Sequence, residues 1–289
     1  MSKIYEIASI RVQLREPHFT FRGLQPFEVA ASDTAPLHLD LHYDSNTRPV
    51  SEAMQLIDTF DFPDANAICR LYRYAGGYLF AMQVEERDEE VRFDLPDNQA
   101  EARCNFTADE NPSLFRFGLW IAFNIRASEQ GVIAIHSSVL TYEGGAVLCL
   151  GESGTGKSTH TRLWREHIEG ADLLNDDSPM LRIANGVAMV YGSPWSGKTP
   201  CYRNLAYPIR GFMRLSQAPE NEITKLSVIS AYGSLQPSMP PSFAHDEALF
   251  DRVNSLLSEL LRRVPTYHLR CLPNREAAEL ARNTIFHSR

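Results

Sequence analysis

The stretch Gly151-Glu152-Ser153-Gly154-Thr155-Gly156-Lys157-Ser158 follows directly on the apolar run Ala146–Leu150. A short apolar run that feeds a glycine-rich loop ending in Gly-Lys-Ser constrains this chain more than any other feature, because the pattern G-x-x-x-x-G-K-[ST] serves one geometry. Its glycines let the backbone curl until successive N–H groups converge, and the helix that starts at its end adds positive potential at the same spot. The spacing predicts a strand over 146–150, a phosphate-binding loop, and a helix from Lys157 to about His167. Lys157 is expected to reach the β- and γ-phosphates of a bound nucleotide, and the Ser158 hydroxyl to ligate a metal. Gly151, Ser153, Gly154, Thr155, Gly156 and Thr159 complete the expected phosphate contacts. The cofactors this pattern predicts are ATP and Mg²⁺.

The surrounding sequence extends the reading. Val132–Leu140 is a second apolar run, joined to the first through Tyr142-Glu143-Gly144-Gly145. Adjacent strands of this kind suit a mixed sheet rather than a purely parallel one. After the helix a strand is expected over Asp172–Asn175, ending in Asp176-Asp177. Only one helix and one short strand separate these carboxylates from Lys157, which predicts a strand end beside the loop. There one carboxylate can help hold the metal while the other accepts the proton of a hydroxyl; the alternative is a solvated turn before Ser178-Pro179. His136 falls on the strand expected to pair with the one entering the loop, and a lone histidine in such a place serves packing at least as often as chemistry. A second Gly/Ser-rich loop, Gly192-Ser193-Pro194-Trp195-Ser196-Gly197-Lys198, reads either as a turn around a packed tryptophan or as a loop that brings Lys198 onto a transferring phosphoryl group. On the predicted helix, His160, Arg162, Trp164 and Arg165 are divided between packing and solvent, with Arg162 a weaker phosphate candidate. Further strands are expected at Met180–Ile183, Val187–Tyr191, Arg210–Leu215 and Tyr267–Leu272, and helices near Ala248–Arg263 and Arg275–Ile285, with the Pro-rich stretch Gln236–Ser242 as a loop.

Residues 1 to 105 read differently, as a mainly β region. Strands are expected at Ile4–Leu14, Phe27–Ala31, Leu37–Tyr43 and Val91–Leu95, and a hairpin at Ile68–Tyr74 and Tyr78–Val84 around Ala75-Gly76-Gly77. The acidic run Glu85–Glu90 and the polar stretch Pro96–Glu101 read either as an edge between this region and the next or as a solvated loop inside one domain. Residues 106–289 then form the α/β phosphate-loop domain, opening with a buried helix from Pro112 to about Ser128 capped by Asn111.

Composition excludes several classes. The formal net charge of −8 argues against nucleic acid as a partner, since such proteins carry a basic face. The apolar runs are far shorter than the roughly 20 residues that span a bilayer, so no membrane is involved and a cytoplasmic protein is expected. Five cysteines, Cys69, Cys104, Cys149, Cys201 and Cys271, are spread without a C-x-x-C pair, which favours reduced thiols over disulfides or zinc. Lysine occurs only at Lys3, Lys157, Lys198 and Lys225, and two of these follow a glycine.

The order Ile-His-Ser-Ser-Val at 135–139, Leu-Gly-Glu-Ser-Gly-Thr-Gly-Lys-Ser-Thr at 150–159 and Leu-Asn-Asp-Asp-Ser-Pro at 174–179 resembles the catalytic domain of HPr kinase/phosphorylase and the related HPr-kinase-like proteins, which share a nucleotide fold with phosphoenolpyruvate carboxykinase. Tyr-Gly-Ser-Pro-Trp-Ser-Gly-Lys at 191–198 resembles a motif of the HPr-kinase-like branch. The resemblance covers about residues 130–200 strongly, continues weakly to the end of the sequence and does not extend to the N-terminal region. It implies an α/β fold, a P-loop mixed-sheet domain of the HPr kinase C-terminal type preceded by a smaller mainly β region. It also implies an ATP-dependent kinase for a serine hydroxyl, in which Asp176 acts as base, Asp177 serves the metal site and His136 stands by the carboxylates to orient them. Members of the family are often oligomers, so a homo-oligomer is implied as well. The chain departs from the family in its N-terminal region and in lacking a recognisable counterpart of the C-terminal signature used for phosphorolysis. Two other readings stay open, a carboxykinase-like enzyme and a non-catalytic ATP-binding sensor whose β region engages a partner peptide. The hydroxyl acceptor is a protein, a peptide or a small molecule.

Overall fold

Short apolar-rich runs give the first hundred positions their strands, some buried on alternate residues, as over 67–71, and some buried continuously, as over 77–82. The computed structural model describes residues 2–30, 35–84, 89–152, 154–197 and 199–287, and two of the expected site residues, Ser153 and Lys198, lie outside these, as do residues 85–88 of the acidic run. The chain divides into two units, residues 1–130 with 241–251, and residues 131–240 with 252–289.

In the first unit the strands are β1 (Lys3–Ile7), β2 (Ile10–Leu14), β3 (Glu28–Val29), β4 (Leu39–Tyr43), β5 (Gln55–Phe62), β6 (Ala67–Tyr74), β7 (Gly77–Val84), β8 (Val91–Pro96) and β9 (Glu101–Cys104). They form one sheet in the order β3-β1-β2-β4-β9-β8-β7-β6-β5. β4 runs parallel to β2 and β9, and the other pairings among the described residues are antiparallel. The single strand expected over 4–14 is instead a hairpin, turned at Ala8 and Ser9, both at positive φ. Helix α1 (Pro112–Glu129) begins where expected, with the Asn111 side chain accepting from the amides of Ser113 and Leu114.

That helix settles where the first unit ends. Gly118 rests against Phe93 so closely that a Cβ would meet the ring at 2.1 Å, and Phe115 stacks on Phe19 at 5.0 Å between centroids. With its apolar face buried on this sheet, α1 belongs to the first unit, and the division falls after Gln130 rather than near residue 105. Residues 241–251 rejoin the same unit through Ser242, whose Oγ donates to Asp58 at 2.9 Å, and Asp246, which accepts from the Tyr78 hydroxyl at 2.8 Å.

The second unit contains β10 (Ile133–Ala134), β11 (Ser137–Tyr142), β12 (Gly145–Leu150), α2 (Lys157–His167), β13 (Asp172–Asp177), β14 (Met180–Ala184), β15 (Val187–Tyr191), β16 (Ala206–Gln217), β17 (Glu222–Lys225) and α3 (Val228–Leu235). It closes with α4 (Glu247–Arg263), whose first residues lie in the other unit, then β18 (Thr266–Cys271) and α5 (Arg275–Phe286). The sheet order is β10-β14-β15-β16-β12-β11-β13, with β18 on β16 and β17 on β18. β16 is long enough to serve twice: its start pairs antiparallel with β15, and the rest lies parallel between β12 and β18. The apolar run at 132–140 is two strands with different partners, broken at His136. α2 and α5 cover one face. Trp164, Leu163 and Ile168 of the α2 segment pack with Ala278 and Ala281 of α5 over Val147, Cys149, Met213, Leu215 and Leu269. The small alanines let the two helices lie close, and burial of this set is worth about 25 cal/mol per Å² removed from water.

The chain is therefore mixed α/β with two mixed sheets. No helix among the described residues is long and apolar enough to cross a membrane.

Candidate functional site

The loop from β12 to α2 turns at three glycines with positive φ, Gly151, Gly154 and Gly156. Gly151 is required sterically as well: a Cβ there would stand 2.5 Å from the Thr155 hydroxyl. Gly156 caps α2 without a side-chain hydrogen bond, which leaves the first amides of the helix for a ligand or water. The Lys157 ammonium folds back onto its own loop and donates to the carbonyls of Gly151 (2.5 Å) and Glu152 (3.2 Å). Burial holds its pKa below the ordinary lysine value, opposed by the charges of Cys149, Asp176 and Asp177.

The carboxylates reach the loop by an indirect route. β13 does not lie beside β12; β11 stands between them, antiparallel to both, and its register sets Ser138 opposite Asp176 and Ser137 opposite Asp177. Even so, the ends of these strands and the loop line one cavity of about 390 Å³, where Lys157, Ser158 and Thr159 face the same space as Asp176, Asp177 and His136. Ser138 donates its hydroxyl to Asp176 Oδ1 at 2.6 Å. Both are buried, at 2% and 8% exposure, so the bond is shielded and fixes one oxygen of that carboxylate. His136 Nδ1 lies 3.2 Å from Asp177 Oδ1, with both side chains partly exposed.

The turn after β13 is locked by Asn175, which is fully buried. Its side-chain oxygen accepts from the amides of Asp177 (3.1 Å) and Ser178 (2.9 Å), and its amide donates to the Trp195 carbonyl (3.1 Å) and Ser193 Oγ (3.3 Å). The second Gly/Ser-rich loop is thereby tied to the carboxylate strand. Gly197 N–H donates to the Asp176 carbonyl at 2.8 Å, and a Cβ at Gly197 would come within 2.7 Å of that oxygen. Trp195 is packed, as the first reading of this loop has it, and Gly197 lines the cavity; Lys198, on which the second reading turns, lies outside the described residues.

On α2, His160 is buried and accepts the Trp164 Nε1–H at 2.9 Å, which assigns it to packing rather than to an anion. Arg162 pairs with Glu166 at 3.0 Å on the outside of the helix. Ser138, Asn175 and Gly197 were not singled out from the sequence. Ser138 had a usable signal: it lies two residues from His136, a spacing that sets side chains on the same face of an extended chain.

The donor set fits Mg²⁺. Ser158 and Asp177 offer hard oxygen atoms, and no group of three or more His, Cys, Asp or Glu side chains among the described residues could hold a metal alone. Mg²⁺ is ordinarily bound in this sparse way, by one or two carboxylates together with substrate phosphates and water.

No family model matches the chain, and no curated protein matches it. A solved structure titled as the HPr(Ser) kinase/phosphatase from Coxiella burnetii is similar over 51% of this chain and 85% of its own, at 14% identity and a TM-score of 0.31.

Proposed function

We propose that this chain is an ATP-dependent phosphotransferase of the HPr-kinase-like kind, moving the γ-phosphoryl group of ATP to the hydroxyl of a serine or another alcohol. What carries the reading is the shared cavity: the glycine-rich loop with Lys157 and Ser158 opens onto the same space as Asp176, Asp177 and His136. Mg²⁺ held by Ser158 and Asp177 would supply charge neutralisation on the phosphate oxygens. Lys157 is then free to leave the loop carbonyls and bind the β/γ-phosphate oxygens, offsetting negative charge there. Asp176 accepts the proton of the acceptor hydroxyl, and Ser138 keeps that carboxylate oriented by holding Oδ1. His136 orients Asp177 from the side. Most of the acceleration in such a site comes from positioning and electrostatics rather than covalent chemistry. The cytoplasm, where ATP is abundant, is the proposed setting.

The test is incubation of the protein with Mg²⁺, γ-labelled ATP and a fractionated cell lysate, beside Asp176→Asn. Label entering one protein or metabolite with wild type, and falling about 10²–10⁴-fold with the variant while ATP still binds, is the expected result. Undiminished transfer by Asp176→Asn would remove its role as base. Tight ATP binding with no transfer by either protein would favour the sensor reading.

A further inference from the structure

A second cavity, of about 340 Å³, borders the same loop. It opens at the carboxyl ends of the parallel strands β12, β16 and β18, where ligands of open α/β sheets characteristically bind. β16 and the residue after it contribute Leu215, Gln217 and Ala218, the end of β18 contributes Cys271 with Leu272 and Pro273 beyond it, and α2 contributes His160 and Leu163. Gly156 and Thr159 line both this cavity and the one that holds the carboxylates. The loop thus has a polar space on one flank and an apolar one on the other, joined through the first turn of α2.

The two spaces suit opposite ends of one molecule. No Lys, Arg, Asp or Glu is found among the described residues of the second cavity, so its lining, which includes Thr155, Gly156 and Thr159 of the loop itself, offers no charged group to a phosphate. Its volume lies in the roughly 300–1,000 Å³ range of small-molecule pockets, which are mostly apolar with a few polar groups. Beyond Thr155 and Thr159 of the loop side, the polar groups here are the Gln217 amide, which reaches only weakly to the Gly154 carbonyl at 3.4 Å, and His160, whose Nε2 is already taken by Trp164. A planar heteroaromatic ring with a hydrogen-bonding edge matches such a lining.

We propose that this cavity receives the nucleobase of the nucleotide whose phosphates occupy the glycine-rich loop, with Leu163, Leu215 and Pro273 against the ring and the Gln217 amide at its polar edge. The proposal rests on the nucleotide reading above and extends it to ligand selection. With the γ end of the triphosphate turned to Asp176 and Asp177, the α end lies toward Thr159, and the nucleoside leaves past that residue into the apolar space. Inorganic triphosphate, which has no base, would use the loop but not this cavity.

The experiment compares ATP with inorganic tripolyphosphate, each with Mg²⁺, by calorimetric titration of wild type and Ala218→Trp. Ala218 is half-buried at the cavity wall, so a tryptophan there fills the space from its rim. ATP is expected to bind wild type about tenfold or more tighter than tripolyphosphate, and Ala218→Trp to remove that advantage while leaving tripolyphosphate within about twofold. Retained tripolyphosphate binding also reports that the variant is folded. An independent readout uses Cys271, which is partly exposed while the other four cysteines are buried: ATP is expected to slow its alkylation, and tripolyphosphate to leave it unchanged. Equal affinity for the two ligands, with no effect of Ala218→Trp and no protection of Cys271 by ATP, would overturn the base site while leaving the phosphate site intact. Failure of wild type to bind either ligand would overturn the nucleotide reading and this proposal with it. Should the variant lose both ligands, protection of Cys271 in wild type decides.

Discussion

Acidification is expected to destabilise the second unit through one residue, His160. Its ring is 3% exposed, and Nε2 accepts the Trp164 Nε1–H at 2.9 Å. Protonation would turn that acceptor into a donor facing another donor, and burial accordingly holds the pKa down at about 4 against an ordinary 6.5. Below pH 6.5 the unfolded chain takes up a proton that the folded chain refuses, so stability declines as pH falls from 6.5 to about 4 and levels off once both states are protonated. At about 1.4 kcal/mol per unit the difference comes to about 3 kcal/mol, a large part of the roughly 5–15 kcal/mol that holds a typical domain folded. The assay is urea unfolding followed by circular dichroism at steps between about pH 7.5 and pH 4. Wild type is compared with His160→Gln, whose amide oxygen can accept the same indole N–H but does not titrate. Other ionisable groups contribute equally to both proteins, so the difference isolates His160. Wild type should lose about 3 kcal/mol more than the variant over this range. Parallel stability curves would refute the assignment of a neutral buried ring.

Two further outcomes follow from the carboxylate strand. Ser138→Ala should lower kcat by about 10- to 100-fold with ATP affinity unchanged, since only the orientation of Asp176 is lost, and Ser138→Thr, which keeps a hydroxyl, should restore part of it; steady-state kinetics with the acceptor that the labelling experiment identifies measures both, and equal loss in the two variants would count against a positioning hydrogen bond. Asn175→Ala removes the acceptor of the Asp177 and Ser178 amides together with the donor that the buried Ser193 and Trp195 oxygens receive, and should cost about 2–4 kcal/mol in chemical denaturation; a loss under about 0.5 kcal/mol would mean that water replaces the side chain.

The site was more legible in the sequence than the sheet that carries it. Lys157, Ser158, Asp176 and Asp177 stand in motifs whose spacing already implies a common space, and they do line one cavity. Strand neighbours are set by long-range pairing, which no local pattern reports. The run at 132–140 looks like one buried strand, yet its two halves pair with β14 and with β12 and β13. Nothing in its continuous apolar character marks the change of partner at His136. β5 and β9 are hidden for a different reason: β5 is an edge strand exposed or half-buried along its length, and β9, although Ala102 and Cys104 are buried, has only four residues, too few for an alternation to stand out. The apolar face of α1 could cover either sheet. Its contacts with Phe93 and Phe19 decide it.

The return of residues 241–251 to the first unit has a consequence for how the chain is made. Tyr78 meets its partner Asp246 at a separation of 168 residues, and Asp58 meets Ser242 at 184. At the ~5–20 residues per second of ribosomal synthesis, the earlier residues wait about eight to forty seconds for these partners. Neither unit is a continuous stretch, so the nascent first sheet emerges lacking a piece that arrives only after most of the second has been translated. A fragment cut at Gln130 would therefore be an unfinished unit rather than a free-standing domain, with the Tyr78 hydroxyl and the Asp58 carboxylate deprived of the contacts that close it.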